Sequence, residues 1–202
     1  MNVVRAPHAF GFVALLVAAA ATTPVLTSQV FAAEPSATPV AMSEEKIHNA
    51  QKAWGEAVVA LGKAHLAGED MVARAREVVD GAYAFGQTRV LFKPTLAHEV
   101  PFRLTPEDAV SYFVTGHIPE DTGFAITPWT AVRFENAAIS LHGNVGLAMG
   151  HYFFTNTSGE EIKVEYTKGY MLDERGNVRI MLQHSSVPYA PAKEPGADHA
   201  AN

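Results

Sequence analysis

The sequence predicts an α+β fold in which helices come first and an antiparallel sheet follows. Apolar residues recur at helical spacing between Ser43 and Tyr83, and four consecutive stretches after Trp129 are rich in β-branched and aromatic residues. The gaps between those stretches hold turn residues and are too short for crossover helices, so the strands must run antiparallel.

Ser43 can cap a first helix whose Glu44 and Glu45 favour its positive end. Ile47, Ala50, Trp54, Val58 and Leu61 then fall on one stripe, and the helix extends toward His65. Gly68-Glu69-Asp70 breaks it, and Met71, Ala75, Val78, Val79 and Ala82 form a second stripe up to Tyr83. Val90-Leu91-Phe92 reads as a short strand stopped at Lys93-Pro94, because proline cannot donate to a ladder. A second extended piece is expected from Val100 to Leu104. Thr105-Pro106-Glu107-Asp108 supplies cap, first-turn proline and acids for a third helix ending before Gly116. The four long strands are expected at Trp129–His142, Val145–Asn156, Ile162–Asp173 and Val178–Val187, with Gly143-Asn144 making a tight hairpin.

Arg5, the apolar stretch from Phe10 to Ala21 and Val30-Phe31-Ala32 have the pattern of a secretory signal peptide, with cleavage expected after Ala32. Residues 33–42 read as a linker, 43–188 as the folded domain and 189–202 as a flexible tail. Export to a periplasm, or secretion, is the expected location. Arg5 is the only charged residue in the first 32 of 202, so cleavage moves the net charge from −6 to −7. An acidic chain without a Lys/Arg cluster is a poor partner for nucleic acid or an anionic membrane. With zero cysteines, disulfides, thiolate metal sites and cysteine nucleophiles are excluded.

Several local motifs fit one known fold. Asp80-Gly81-Ala82-Tyr83, Val90-Leu91-Phe92-Lys93-Pro94-Thr95, Gly150-His151-Tyr152-Phe153-Phe154, Tyr166-Thr167 and Gly176-Asn177-Val178-Arg179-Ile180 running into His184-Ser185-Ser186 make the set. On these the chain resembles the SnoaL-like branch of the NTF2-like superfamily, and is similar to the association domain of calcium/calmodulin-dependent protein kinase II. The resemblance implies a cone, with about three helices packed in a strongly curved antiparallel sheet, a cavity at its open end and pairing of sheets into dimers or larger rings. In ketosteroid isomerase, a catalytic member, an aspartate base precedes a proline. The loosely matching position here is Lys93, so carboxylate-driven enolisation finds no support.

Alternation along the strands places Ile162, Val164, Tyr166, Lys168, Tyr170 and Leu172 on one face. The same count groups Ile180, Leu182, His184 and Ser186, and groups Val145, Leu147, Met149, His151 and Phe153. If these faces look into the cone, His184, His151 and Tyr166 are the candidate catalytic residues, two histidines able to exchange protons and a phenol able to donate. Trp54, Tyr83, Tyr112 and Trp129 would complete a ligand-binding cavity with them. A filled core is the competing arrangement, and periodicity does not separate the two. Spacing supports neither a metal site built from His142, His151 and His184 nor a nucleophilic role for Ser185 or Ser186. No cofactor motif is present. The expected function is therefore binding of a small, partly apolar molecule, with no reaction assigned. A cofactor-independent isomerase, cyclase or hydrolase and a structural oligomerisation module are the alternatives.

Overall fold

Helix α1 (Glu44–Leu66) starts where Ser43 turns its hydroxyl back to accept from the Lys46 amide at 3.2 Å, a cap that contributes about 1 kcal/mol. The computed structural model describes residues 41–191; the expected signal peptide and most of the linker and tail lie outside the described residues. Asp70 caps α2 (Met71–Ala82), and Thr105 and Asp108 cap α3 (Pro106–Val114) reciprocally. The strands are β1 (Leu91–Lys93), β2 (Ala131–His142), β3 (Val145–Thr155), β4 (Glu161–Leu172) and β5 (Val178–Ser186). All three helices and the four long strands lie where the sequence puts them, within one or two residues. Val100 to Leu104 forms no strand, although the Arg103 amide donates to the Phe92 carbonyl at 2.8 Å.

The sheet order is β1-β5-β4-β3-β2, antiparallel except that β1 joins β5 in parallel. One face carries α1, whose Ile47, Trp54, Val58 and Leu61 are buried against Tyr152, Phe154, Val164 and Tyr170. Each such side chain contributes roughly 1.5–3 kcal/mol by leaving water. Bulges after Asn136 in β2 and at Met181 in β5 bend the sheet around the helices, giving the NTF2-like cone.

The β5 bulge and the small inward residues of β3 correct the expected faces. Tyr170 pairs with Ile180 but Gly169 pairs with Leu182, so Met181 is an extra residue and the alternation changes phase there. Ile180, Gln183 and Ser185 therefore point into the cone, while Leu182 and His184 point out. In β3 the inward face is Gly146, Ala148, Gly150, Tyr152 and Phe154, and Val145, Leu147, Met149, His151 and Phe153 face outward. Glycine at 146 marks close approach rather than lack of a core: a Cβ there would stand 2.5 Å from the Ile47 Cδ1 of α1.

Candidate functional site

Inside the cone the strands and α3 bring together hydroxyl and amide side chains that sit far apart in sequence. The Tyr152 hydroxyl on β3 hydrogen-bonds the Ser185 Oγ on β5. Thr95, just beyond β1 and after the buried Pro94, lies against the phenols of Tyr112 and Tyr152. The Tyr112 hydroxyl accepts from the Leu96 amide at 3.4 Å, so the segment after β1 is tied to α3 at this point. Beside this group, Trp54 Nε1–H donates to the Tyr83 hydroxyl at 3.1 Å, which donates to Gln183 Oε1 at 2.8 Å. A separate network joins Gln51, Asn136 and Tyr166: the Gln51 and Asn136 amides exchange bonds of 2.9 Å, and Gln51 donates to Tyr166 at 3.1 Å.

Aromatic rings fill the space between these groups. Trp54 stacks on Tyr152 at 5.9 Å between centroids, Tyr152 stacks on Tyr166 at 5.2 Å, and Phe134 meets Tyr152 edge-on at 5.3 Å. Loss of hydration in this interior favours neutral phenols. Burial raises the Tyr152 and Tyr166 hydroxyls to about 12 and pushes Tyr83, Tyr112 and Tyr170 above their usual range as well. At neutral pH the cluster is thus a set of uncharged donors. A groove of about 260 Å³ between α1, α2 and β5 reaches this interior at Trp54 and Ile180.

Lys168, on the inward face of β4, is fully buried, and its Nζ has no hydrogen-bond partner among the described residues. The Nζ sits 3.7 Å from the Trp54 ring centroid, 5.1 Å from Phe134 and 5.6 Å from Tyr152. Removing an ammonium from water costs several kcal/mol, whereas aromatic faces return about 2 kcal/mol. Burial wins and holds the Lys168 amine well below its usual range.

The segment outside the cluster is fixed by charge. Glu120 accepts from the successive amides of His98, Glu99 and Val100 at 2.8–2.9 Å, and these bonds lower its carboxyl to about 2. Arg103 is buried beside it and pairs with Asp121 at 2.8 Å, while Ser111 on α3 donates to Asp121 at 2.7 Å.

Of the expected site residues, Trp54, Tyr83, Tyr112, Trp129 and Tyr166 lie inside the cone and His151 and His184 do not. Both histidines line a 350 Å³ depression on the outer sheet face with Met149, Glu165, Thr167 and Ser186. The inward trio of His184, His151 and Tyr166 is therefore reduced to Tyr166. Arg133 and Glu135 also lie outside, paired with each other, and Arg133 reaches Glu161 at 3.2 Å. No three His, Cys, Asp or Glu side chains converge to hold a metal among the described residues. Sequence reasoning met Thr95 only within a fold motif and set Ser185 aside as a nucleophile, because an isolated hydroxyl carries no pattern that points to a site. Lys168 did leave a signal, as the one charge on an otherwise apolar strand face.

The family model for metal-independent carbonic anhydrase matches residues 45–187. A metal-independent carbonic anhydrase of Nostoc sp. is 41% identical over 154 residues, 74% of this chain and 75% of that one. Among solved structures, a cyanobacterial iota-carbonic anhydrase complexed with bicarbonate aligns with a TM-score of 0.74 and 37% identity, over 79% of this chain and 100% of that one. A calcium/calmodulin-dependent protein kinase II association domain from Xanthomonas campestris aligns with a TM-score of 0.50 and 17% identity, over 76% and 93% of the two chains, which supports the fold alone. The NTF2-like fold stands, and the family that matches, metal-independent carbonic anhydrase, is one that the expected SnoaL-like resemblance did not name. The expectation of a binding domain without a reaction is overturned, since the matching family is one of enzymes.

Proposed function

Because the chain belongs to the metal-independent carbonic anhydrase family, we propose that it interconverts carbon dioxide and bicarbonate inside the cone. The observation that carries this reading is the buried contact of Tyr152 with Ser185, flanked by Thr95 and Tyr112, in the middle of an aromatic interior. Carbon dioxide is apolar overall and suits such walls. Its hydration places negative charge on its oxygens as water attacks the carbon, and bicarbonate presents three oxygens in a plane. Hydroxyl donors fixed around that plane interact more strongly with the product-like charge than with neutral carbon dioxide, which is the requirement for lowering the barrier. Holding water and carbon dioxide together in a confined site contributes by orientation.

The raised phenols support this arrangement. A tyrosine kept protonated at every physiological pH donates without competing for the proton released. The direct test is stopped-flow carbon dioxide hydration with the chelator-treated protein and with Tyr112→Phe. Activity in the former and about a tenfold to hundredfold fall in kcat/KM in the latter are expected; unchanged kinetics in Tyr112→Phe would remove this site from the reaction.

The reading extends to assembly and location. Leu147 and Met149 are 43% and 51% exposed on the outer sheet face, where Met149 lines the depression that holds His151 and His184. That face supports a homodimer through the sheet, with the histidines at the interface rather than in the site. Sedimentation of Met149→Glu as a monomer against a wild-type dimer checks it. The signal-like pattern of residues 1–32 supports export to a periplasm or beyond, tested by the N-terminal residue of the mature protein in cell fractions.

A further inference from the structure

Hydration releases one proton for each bicarbonate formed, and the hydroxyl cluster contains nothing that accepts it near neutral pH, since burial keeps its phenols protonated. Two basic groups stand beside the cluster: Lys93, half-buried, whose Nζ donates to the Ser185 carbonyl at 3.2 Å, and Lys168 in the interior. Lys168 is the direct cross-strand partner of Gln183, which bonds Tyr83, and the Lys168 Nζ shares the Trp54 and Tyr152 rings with the cluster. Unlike Lys93, it is fully buried and its Nζ is unpartnered among the described residues.

We propose that Lys168 is the site's internal proton holder: its amine is neutral in the empty protein and becomes ammonium when bicarbonate occupies the hydroxyl cluster. This rests on the carbonic anhydrase reading above. In the hydration direction the water oxygen bonds to the carbon of carbon dioxide, one of its protons ends on Nζ, and the products are bicarbonate and the ammonium. Atoms and charge balance without a further reactant. In the reverse direction the ammonium returns the proton as the C–O bond breaks and water leaves.

The surroundings fit both states. Trp54, Phe134 and Tyr152 present ring faces to Nζ, which tolerate an amine and attract a cation. Burial is the sole cause acting on Lys168, with no charged neighbour contributing; the phenol nearest its Nζ is that of Tyr152, and Tyr166 and Tyr170 flank it on the same face of β4. No fixed carboxylate therefore locks the ammonium form. A mobile anion is the charge that switches it, and a bound anion raises the proton affinity of a nearby amine by linkage.

The test uses protein labelled with carbon-13 lysine. The Lys168 side-chain resonance is identified by its loss in Lys168→Met, and its shift is read with sodium chloride and then with sodium bicarbonate at the same mildly alkaline pH. Calorimetry follows bicarbonate binding in parallel. The expected result is a neutral-amine shift in chloride, an ammonium shift in bicarbonate, and an affinity for bicarbonate about tenfold weaker in Lys168→Met. Bicarbonate binding with the Lys168 resonance unchanged, neutral or charged throughout, overturns the proposal and leaves the carbonic anhydrase reading intact. Failure of bicarbonate to bind overturns both. If the methionine variant does not fold, the wild-type spectra still decide: one lysine resonance that sits at the neutral-amine shift in chloride and moves to the ammonium shift in bicarbonate supports the proposal, and the absence of such a resonance overturns it.

Discussion

Tyr152 and Ser185 meet across an intervening strand. The first lies on β3 and the second on β5, and the Tyr166–Ser185 and Gly150–Tyr166 pairs place β4 between them. A tyrosine spans that width, so the contact depends on the length of one side chain and the shortness of the other. Ser185→Ala leaves the Tyr152 hydroxyl buried without this partner, at about 1–3 kcal/mol of stability, and removes a donor from the site. The expected outcome is a folded protein with kcat/KM for carbon dioxide hydration about tenfold to a hundredfold lower, checked by stopped-flow kinetics beside denaturant melts.

Alkaline conditions act on the same cluster. Tyr152 and Tyr166 have folded values of about 12 against an ordinary value of 10.0, so between the two the folded protein holds protons that the unfolded chain releases. The linkage sign makes stability fall as pH rises through that window, with the phenols' contribution fully present below pH 10. Absorbance titration should show the buried phenolates appearing together with unfolding. Their ionisation in a still-folded protein near pH 10 would contradict this.

Acid acts elsewhere, on Glu120. Its carboxyl is lowered to about 2 by three backbone amides, so its contribution is present above an unfolded value of 4.5 and is lost as pH falls toward 2. In Glu120→Gln the segment from His98 to Val100 should exchange its amide hydrogens faster at neutral pH, and the melting temperature should depend less on pH between 5 and 2. Hydrogen exchange read by mass spectrometry and melts across that range check both.

Gly150 has no room for a side chain. A Cβ there would overlap the Glu135 carbonyl oxygen and stand 2.8 Å from the Ala137 amide, at the bulge of β2. The obstacle is backbone, which cannot rotate away. Gly150→Ala should cost about 3 kcal/mol in urea denaturation, whereas alanine at Gly143, with open space but a φ of 60°, should cost less.

What the sequence revealed of this fold was local chemistry. Ser43 and Thr105 announce helix starts because a hydroxyl satisfies free amides wherever a helix begins, and Gly143-Asn144 announces a hairpin because both residues tolerate positive φ. Facing was legible only while alternation held. It failed in β5 because the extra Met181 leaves no composition signature, and in β3 because glycine and alanine on the inward face look less apolar than Leu147 and Met149 on the outward one. Tyr112, Tyr83 and Trp54 were legible as large side chains on buried stripes. Ser185 and Thr95 were not, since their importance comes from strands that the chain joins only after folding.

The bulge at Met181 carries a consequence for how this site can change. Removing that single residue would leave Ile180 opposite Tyr170 and Leu182 opposite Gly169 in a regular ladder with the same side chains inward, whereas drawing it into the ladder would slip the register by one and exchange the inward and outward sets beyond it. In that slipped register Gln183 and Ser185 would turn out and Leu182, His184 and Ser186 would turn in. One step of register thus separates a hydroxyl-lined interior from an imidazole-lined one on the same scaffold.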